Sequence, residues 1–301
     1  MIFASQIWTD VFWTSVVAGG LLAGLPLMFT ALGETISERA GVLNIGLEGM
    51  MLLGAYLGFV SGIAAGMVGA VLMIVLCVWL GLDQIVVGIA ITLGAEGITS
   101  VLQQAQFGST YPRLDATPTI SIPLLNRLPV LGTSLFEQPP LVYFAFAFVA
   151  VLAWMFRRTN VGLNLRAAGE KPEALDAAGV SVVATRSWAV LSTGALAGLG
   201  GAYLSIVAAG IFTPFITQGQ GFIAIVIAML GRGRPLWVLL GSFLFGVALS
   251  LSDSLQIAGI DISTDVVNMI PFATIIIALI VFARRSYLPP ALALPYVRGA
   301  R

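Results

Sequence analysis

A chain of 301 residues that is 58% hydrophobic and only 9% charged, with a mean hydropathy of +1.01, has too little polar surface to face water all round. Its zero net charge gives no argument for nucleic acid, and the absence of histidine removes Ser-His-Asp and Cys-His catalysis and most zinc sites, so an ordinary hydrolytic enzyme is not expected. The single cysteine, Cys77, allows no internal disulfide. The single lysine, Lys171, stands in AAGEKPEA, so no GxxxxGK(S/T) phosphate loop exists here and any ATP must be used by another subunit.

Apolar stretches of about 17 to 25 residues cross a bilayer as helices, whereas a barrel alternates in segments of about ten. The runs here are continuous and predict an all-α polytopic membrane protein of about nine transmembrane helices in a single domain, 1–301. The segments are approximately 11–32, 42–65, 66–82, 85–104, 141–156, 187–211, 215–231, 236–255 and 266–283. MIFASQIWTD has no basic n-region, which predicts a retained first helix rather than a cleaved leader. Placing the N-terminus outside puts every basic residue except Arg113 and Arg127 in cytoplasmic segments, so the C-terminus is expected in the cytoplasm. Trp79, Trp154, Trp188 and Trp237 then fall near cytoplasmic span ends, and Trp8 and Trp13 near the outer one.

The second span raises the main question, because GETISERAGVLNIGLEGMMLLGAYLGF carries Glu48 inside an apolar run. A carboxylate at that depth costs about 2.5 kcal/mol or more, so it needs water, a partner, a proton or a task. Counted along a helix from Leu43, Glu48 lies about 8 Å in, a depth that leaves room for partial hydration, with Asn44 on the same face. Two readings stand: a carboxylate that caps backbone groups or bonds across helices, or a residue lining a solute path. Gly54, Gly58, Gly62 and Gly66 recur every fourth residue and predict one smooth face for close backbone approach. A turn near Gly66 would leave the third span about 17 residues, about 26 Å at 1.5 Å per residue, short of a core of about 30 Å. LGAYLGFV at Leu53 and GGAYLSIV at Gly200 share GAYL and a later Val on spans running the same way, a weak match that a diverged duplication would account for.

Further on, Glu96 sits deeper in its span and is expected to be neutral or hydrogen-bonded, and Gln103 and Gln104 close that span. Residues 105–140 contain YPRLDATPTISIPLLNRLPVLG, which predicts an ordered extracellular cap with extended segments. Residues 157–186 form a cytoplasmic loop in which Pro172 suits a first helical position, Glu173 the positive helix end and Gly179 a left-handed stop. A short helix is predicted over Pro172–Ala178. Gln218 and Gln220 open a short span, and the intervening Gly219 with Gly221 predicts a broken or re-entrant start, since irregular backbone is tolerated where it lines a cavity. The interior thus offers Asn, Gln, Ser, Thr and Glu but no basic residue, which fits a neutral hydrogen-bonding solute. Phe29, Tyr56, Phe215 and Phe222 either stack on such a solute's ring or simply pack.

GETISERAGVLNIGLEGMMLLGAYLGF, DQIVVGIAITL, NLRAAGEKPEALDAAGV, GALAGLGGAYLSI, GQGFIAIVIAMLGRGRPL and PYVRG together resemble the permease subunits of bacterial nucleoside-type ABC importers, within the branched-chain amino acid and simple-sugar permease superfamily. The resemblance covers nearly the whole chain and implies a type II ABC importer-like permease in the bacterial plasma membrane. It implies as partners a second homologous permease, an ABC ATPase that uses ATP and Mg, and an extracellular or periplasmic substrate-binding protein, with no cofactor in this chain. Glu170, Pro172, Glu173, Ala177, Ala178 and Gly179 match the family's coupling-helix segment. Asn44, Gly46, Glu48 and Gly49 match its NIGxEG signature, on a helix similar to those beside the pathway. Nucleosides are the implied substrate and simple sugars the second. The rival from the residues themselves is an ion-coupled carrier with Glu48 and Glu96 as coupling carboxylates.

Overall fold

The computed structural model describes residues 10–115, 117–121, 131–257, 269–282 and 288–298. Trp8 and Arg127 therefore lie outside the described residues. Helix α1 (Asp10–Arg39) is followed by a non-helical stretch, then α2 (Leu47–Leu57), α3 (Phe59–Met73, continued as a π-helical turn over Ile74–Trp79) and α4 (Gln84–Phe107). The next segment holds β1 (Ile120–Ser121), α5 (Leu131–Phe136) and β2 (Glu137–Gln138), with β1 and β2 pairing antiparallel through Ile120 with Gln138. Helices α6 (Pro140–Arg158), α7 (Asn160–Glu170), α8 (Pro172–Ala177), α9 (Val182–Tyr203, with a π-helical continuation over Leu204–Ala208), α10 (Gln220–Gly231), α11 (Pro235–Ile257) and α12 (Ile270–Phe282) follow.

Phe12–Arg39, Val60–Trp79, Gln84–Phe107, Pro140–Arg158 and Val182–Ala208 are each long and apolar enough to cross a bilayer. Helices α2 and α10, with 11 and 12 residues, reach only about 16 to 18 Å, roughly half of a core of about 30 Å. The middle of the cluster is α1 and α9, which pack on one another; α9 also receives α2 and α3, and α1 receives α10 and α11. Their buried apolar side chains, among them Leu25, Phe29, Leu32, Tyr203, Ile227 and Phe245, form the main core. Phe29 is fully buried there, so it packs rather than meets a solute.

The expected turn near Gly66 is corrected. The chain reverses at Gly58, whose φ of +79° is open to glycine but strained for other residues, and Val60–Trp79 alone then supplies 20 residues, about 30 Å. The short span is α2, not α3. The four glycines accordingly lie on two helices and the turn between them, not on one face. Gly54 and Gly66 still meet backbone directly: a Cβ on Gly54 would overlap the Gly198 carbonyl, and one on Gly66 the Gly194 carbonyl of α9. The absence of side chains is what lets α9 nest against α2 and α3.

One end of the cluster gathers Arg39, Arg157, Arg158, Arg166, Arg232 and Arg234, because α1, α6 and α10 end there and α7 and α11 begin there. Trp79, Trp154, Trp188 and Trp237 are exposed on the flanks near this end, and Trp79 Nε1 donates to Ser187 Oγ at 3.3 Å. Buried Arg186 fastens the end from within. Its guanidinium donates to the carbonyls of Ala40, Ala168, Ala291 and Leu294 at 3.0, 3.2, 3.5 and 2.7 Å, tying α1, α7 and the C-terminal segment to α9.

Candidate functional site

Glu48 does not begin its helix at the membrane surface. Residues 40–46 are not helical, α2 starts only at Leu47, and Leu43 N donates to Gln84 Oε1 at 2.8 Å while Gly46 lies against Ile91. Seven residues up α4 from Gln84 is about 10 Å at the helical rise, so the non-helical stretch carries the start of α2 well into the helix cluster. Asn44 therefore precedes the helix and shares no face with Glu48, which corrects the sequence expectation. It shapes the entry instead: its Oδ1 accepts from Gly46 N at 3.1 Å, its N donates to Glu34 Oε1 at 3.0 Å, and its Nδ2 lies 3.4 Å from Met50 Sδ.

The room for partial hydration at Glu48 is also corrected, since the residue is 4% exposed. Its Oε1 accepts from Gly219 N at 2.8 Å and its Oε2 from Gly221 N at 2.6 Å, so the carboxylate is spent on the backbone opening of α10. Those amides are among the first four of a helix, which have no partner within it. Glu48 also sits in the first turn of α2, so one negative charge faces the positive ends of two helices, an arrangement that makes a buried carboxylate affordable. Gly219 has φ +84° and Gln218 φ +45°, and the chain from Ile211 to Gly219 is irregular, giving the broken start anticipated from the glycines. Gly221 is required for the approach: a Cβ there would fall 2.5 Å from Glu48 N.

Gln218 is exposed and Gln220 half-buried beside this junction, and Gln220 Oε1 is a buried acceptor without a partner. Glu48, Gln218 and Gln220 thus come together, with Asn44 behind them. Glu96 does not join: it is half-exposed on α4 next to the open Gly97 and makes no side-chain hydrogen bond among the described residues. Gln103 belongs to a separate cavity of about 270 Å³ at the end of the cluster opposite the arginines, where its Nε2 donates to the carbonyls of Gly108 and Thr110 at 3.4 and 3.3 Å. Tyr56, Phe107, Phe212 and Ser205 complete its chemistry; Tyr56 stands edge-on to Phe212 at 5.1 Å and its hydroxyl donates to Gln106 Oε1 at 2.7 Å. Phe215 and Phe222 are exposed and do not line this cavity.

Phe212, Ser205, Gln106 and Glu34 were not singled out from sequence. Gln106 had a visible signal, as a third amide in QQAQ, while Phe212 and Ser205 sit in an apolar segment that looks like packing. Glu34, fully buried on α1, was hidden because its partner, Asn44, lies across a chain reversal.

At the arginine-rich end, α8 runs Pro172–Ala177, one residue shorter than expected, with Pro172 and Leu175 buried and Glu173, Ala177, Ala178 and Gly179 exposed. Gly179 has φ +83° and its N donates to Asp176 O at 2.9 Å, a left-handed stop. Glu170 pairs with Arg166 at 2.9 Å and Asp176 with Arg298 at 3.0 Å, so the C-terminal segment buttresses α8.

Long apolar helices around two half-length helices whose N-terminal turns share one buried carboxylate define a multi-pass membrane protein of the transporter class. A family model described as the permease component of the branched-chain amino acid transport system matches residues 16–279, and the chain belongs to that family of ABC transporter permease subunits. Among its relatives, a provisionally named glucose ABC transporter permease of Haloferax volcanii is 38% identical over 80% of this chain and 78% of its own. A nucleoside ABC transporter permease of Lactococcus lactis is 34% identical over 94% of this chain and 97% of its own. A guanosine ABC transporter permease of Bacillus subtilis is 32% identical over 95% and 97%. No solved structure matches the chain.

Proposed function

We propose that this chain is the membrane-spanning subunit of an ATP-driven importer that admits an uncharged polar solute, a nucleoside, through the cavity beside Tyr56. The lining of that cavity carries the substrate class: three aromatic rings, an amide and a hydroxyl, and no charged side chain. Rings of Tyr56, Phe107 and Phe212 suit a flat base, and Gln103 and Ser205 suit its polar edge or a ribose, whereas a phosphate would call for a cation. The relatives named for nucleosides and guanosine support the same class, and the relative named for glucose supports the second reading, a simple sugar.

From the cavity the path leads to the junction of α2 and α10, where Gln218 and Gln220 meet the solute and Asn44 and Glu48 hold the two half-helices. Glu96 reaches the path only through contact of its face of α4 with a second, homologous permease subunit. Glu170, Pro172, Glu173, Ala177, Ala178 and Gly179 form the docking surface for the ATPase, which uses ATP and Mg. A substrate-binding protein meets the opposite, outer face. The N-terminus lies outside and the C-terminus in the cytoplasm of a bacterial plasma membrane. An ion-coupled carrier is less well supported, since both oxygens of Glu48 are committed to backbone amides.

Uptake of labelled guanosine into vesicles holding the complete assembly tests this reading. Uptake should vanish without the ATPase, should compete with other nucleosides, and should weaken severalfold in Phe212→Leu. Uptake sustained by an ion gradient alone would establish the carrier, and competition by glucose but not nucleosides would establish the sugar.

A further inference from the structure

We infer that the groove between the arginine-bearing ends of α6 and α11 holds the phosphate of an anionic phospholipid. The groove encloses about 340 Å³ and is bounded by Arg39, Phe156, Arg157, Arg234 and Trp237, with three guanidiniums and no carboxylate on its wall. Arg39 lies at its base with its guanidinium carbon 4.1 Å from the Phe156 ring centre, and its Nη1 is buried without a hydrogen-bond partner. Arg157 and Arg234 are exposed at the rim and pair with no carboxylate among the described residues. The adjoining cleft shares Arg39 and Arg234 and adds Arg166 and Arg232, but Glu38 and Glu170 offset part of its charge, whereas no carboxylate lines the groove.

What lies beside the groove selects a lipid over a soluble anion. Going from the arginines into the membrane, α6 turns Trp154 and Val151 outward, at 61% and 56% exposure, and α11 turns Leu240 and Leu244 outward, at 56% and 49%. The two helices touch, so a cationic pocket at the surface continues directly into an apolar wall at acyl-chain depth. An exposed Trp at 52%, Trp237, stands between the two zones, where an amphipathic indole is favoured. Guanidiniums match phosphate oxygens with paired donors, and those of Arg157 and Arg234 are presented at the exposed rim. The inference does not depend on the transported solute.

The test uses the purified full chain in micelles doped with phosphatidylglycerol or phosphatidylcholine, with retained lipid counted by native mass spectrometry. Wild type should retain phosphatidylglycerol over phosphatidylcholine. The double variant Arg157→Gln/Arg234→Gln should lose that preference by about fivefold for each arginine removed, and the corresponding Lys pair should keep most of it. Should the double Gln variant not accumulate, Arg157→Gln alone, at an exposed position, gives the same reading at one step. Equal retention of the two lipids by wild type, unchanged retention in the Gln variants, or displacement by millimolar inorganic phosphate would each overturn the inference. So would loss of ATPase co-purification in the Gln variants with lipid retention intact, which would assign these arginines to the protein interface.

Discussion

Glu48 shows how a charge that costs several kilocalories alone becomes a fastener once its lone pairs are placed. Both oxygens take amides that α10 cannot satisfy internally, at distances of charge-assisted hydrogen bonds, and the partners lie 171 and 173 residues away in sequence. The expected reading of a carboxylate that caps backbone groups across helices matches this geometry, and what that separation hid was the partners: a carboxylate in an apolar run announces a need, but only the fold supplies the donors. The same holds for Asn44, whose neighbours in sequence imply a shared helix face that the non-helical entry removes. Substitutions distinguish a fastener from a solute ligand. Glu48→Gln keeps one acceptor and sets an amide donor against a backbone donor, so melting of the purified chain should drop by about 1 to 3 kcal/mol, with transport reduced. Glu48→Leu strands both amides and should cost about twice as much, leaving little transport per assembled complex. If Leu melts and transports as wild type does, the carboxylate holds nothing. If Gln melts like wild type but fails in uptake, Glu48 acts on the solute rather than on the fold.

At the scale of elements, the long spans and the short helix α8 were readable, and the reversal at Gly58 was not. A turn made by one glycine inside an apolar run leaves no polar punctuation, and α2 and α3 present a nearly unbroken hydrophobic pattern across it. By contrast α8 is written in local chemistry: a proline at its first position, an acid in its first turn and a glycine after its end, each acting within a few residues. Gly179 has no atom within 4 Å of where a Cβ would stand, so a substitution there strains the backbone without a clash. Gly179→Val should therefore cost about 1 to 2 kcal/mol locally, fraying the end of α8, while Glu173→Arg puts a cation at its positive terminus on an exposed face. Both should weaken co-purification of the ATPase severalfold and leave the melting of the membrane core unchanged. ATPase association and stimulated hydrolysis equal to wild type in both variants would remove α8 from the docking surface.

Across the whole molecule the two ends differ in kind. One collects arginines, tryptophans and the α8 surface, and the other presents an uncharged, aromatic-lined cavity with the Leu114 to Gly210 backbone contact beside it. The charge asymmetry was plain in the sequence because it follows from where basic residues sit along the chain, and it is what supports the proposed cytoplasmic placement of the arginine-rich end. Of the cavity only Tyr56 and Gln103 stood out, because it is assembled from α2, α4 and the segment after α9, where Phe107, Ser205 and Phe212 look like packing. Sidedness can be measured with little interference, since the one native cysteine, Cys77, is 1% exposed and the unmodified chain serves as the blank. Single cysteines at exposed Asp115, on the cavity end, and exposed Ala177, on α8, would then be treated with a membrane-impermeant maleimide in intact cells. Asp115→Cys should label at once and Ala177→Cys only after permeabilisation, because a charged reagent cannot cross the hydrocarbon core. The reverse pattern would place the cavity in the cytoplasm and turn the proposed direction of transport around, as a docking surface for an ATPase cannot lie outside the cell. Labelling of Asp115→Cys that substrate at high concentration slows would further tie that end to solute entry, since the labelled position follows Leu114 on the cavity wall.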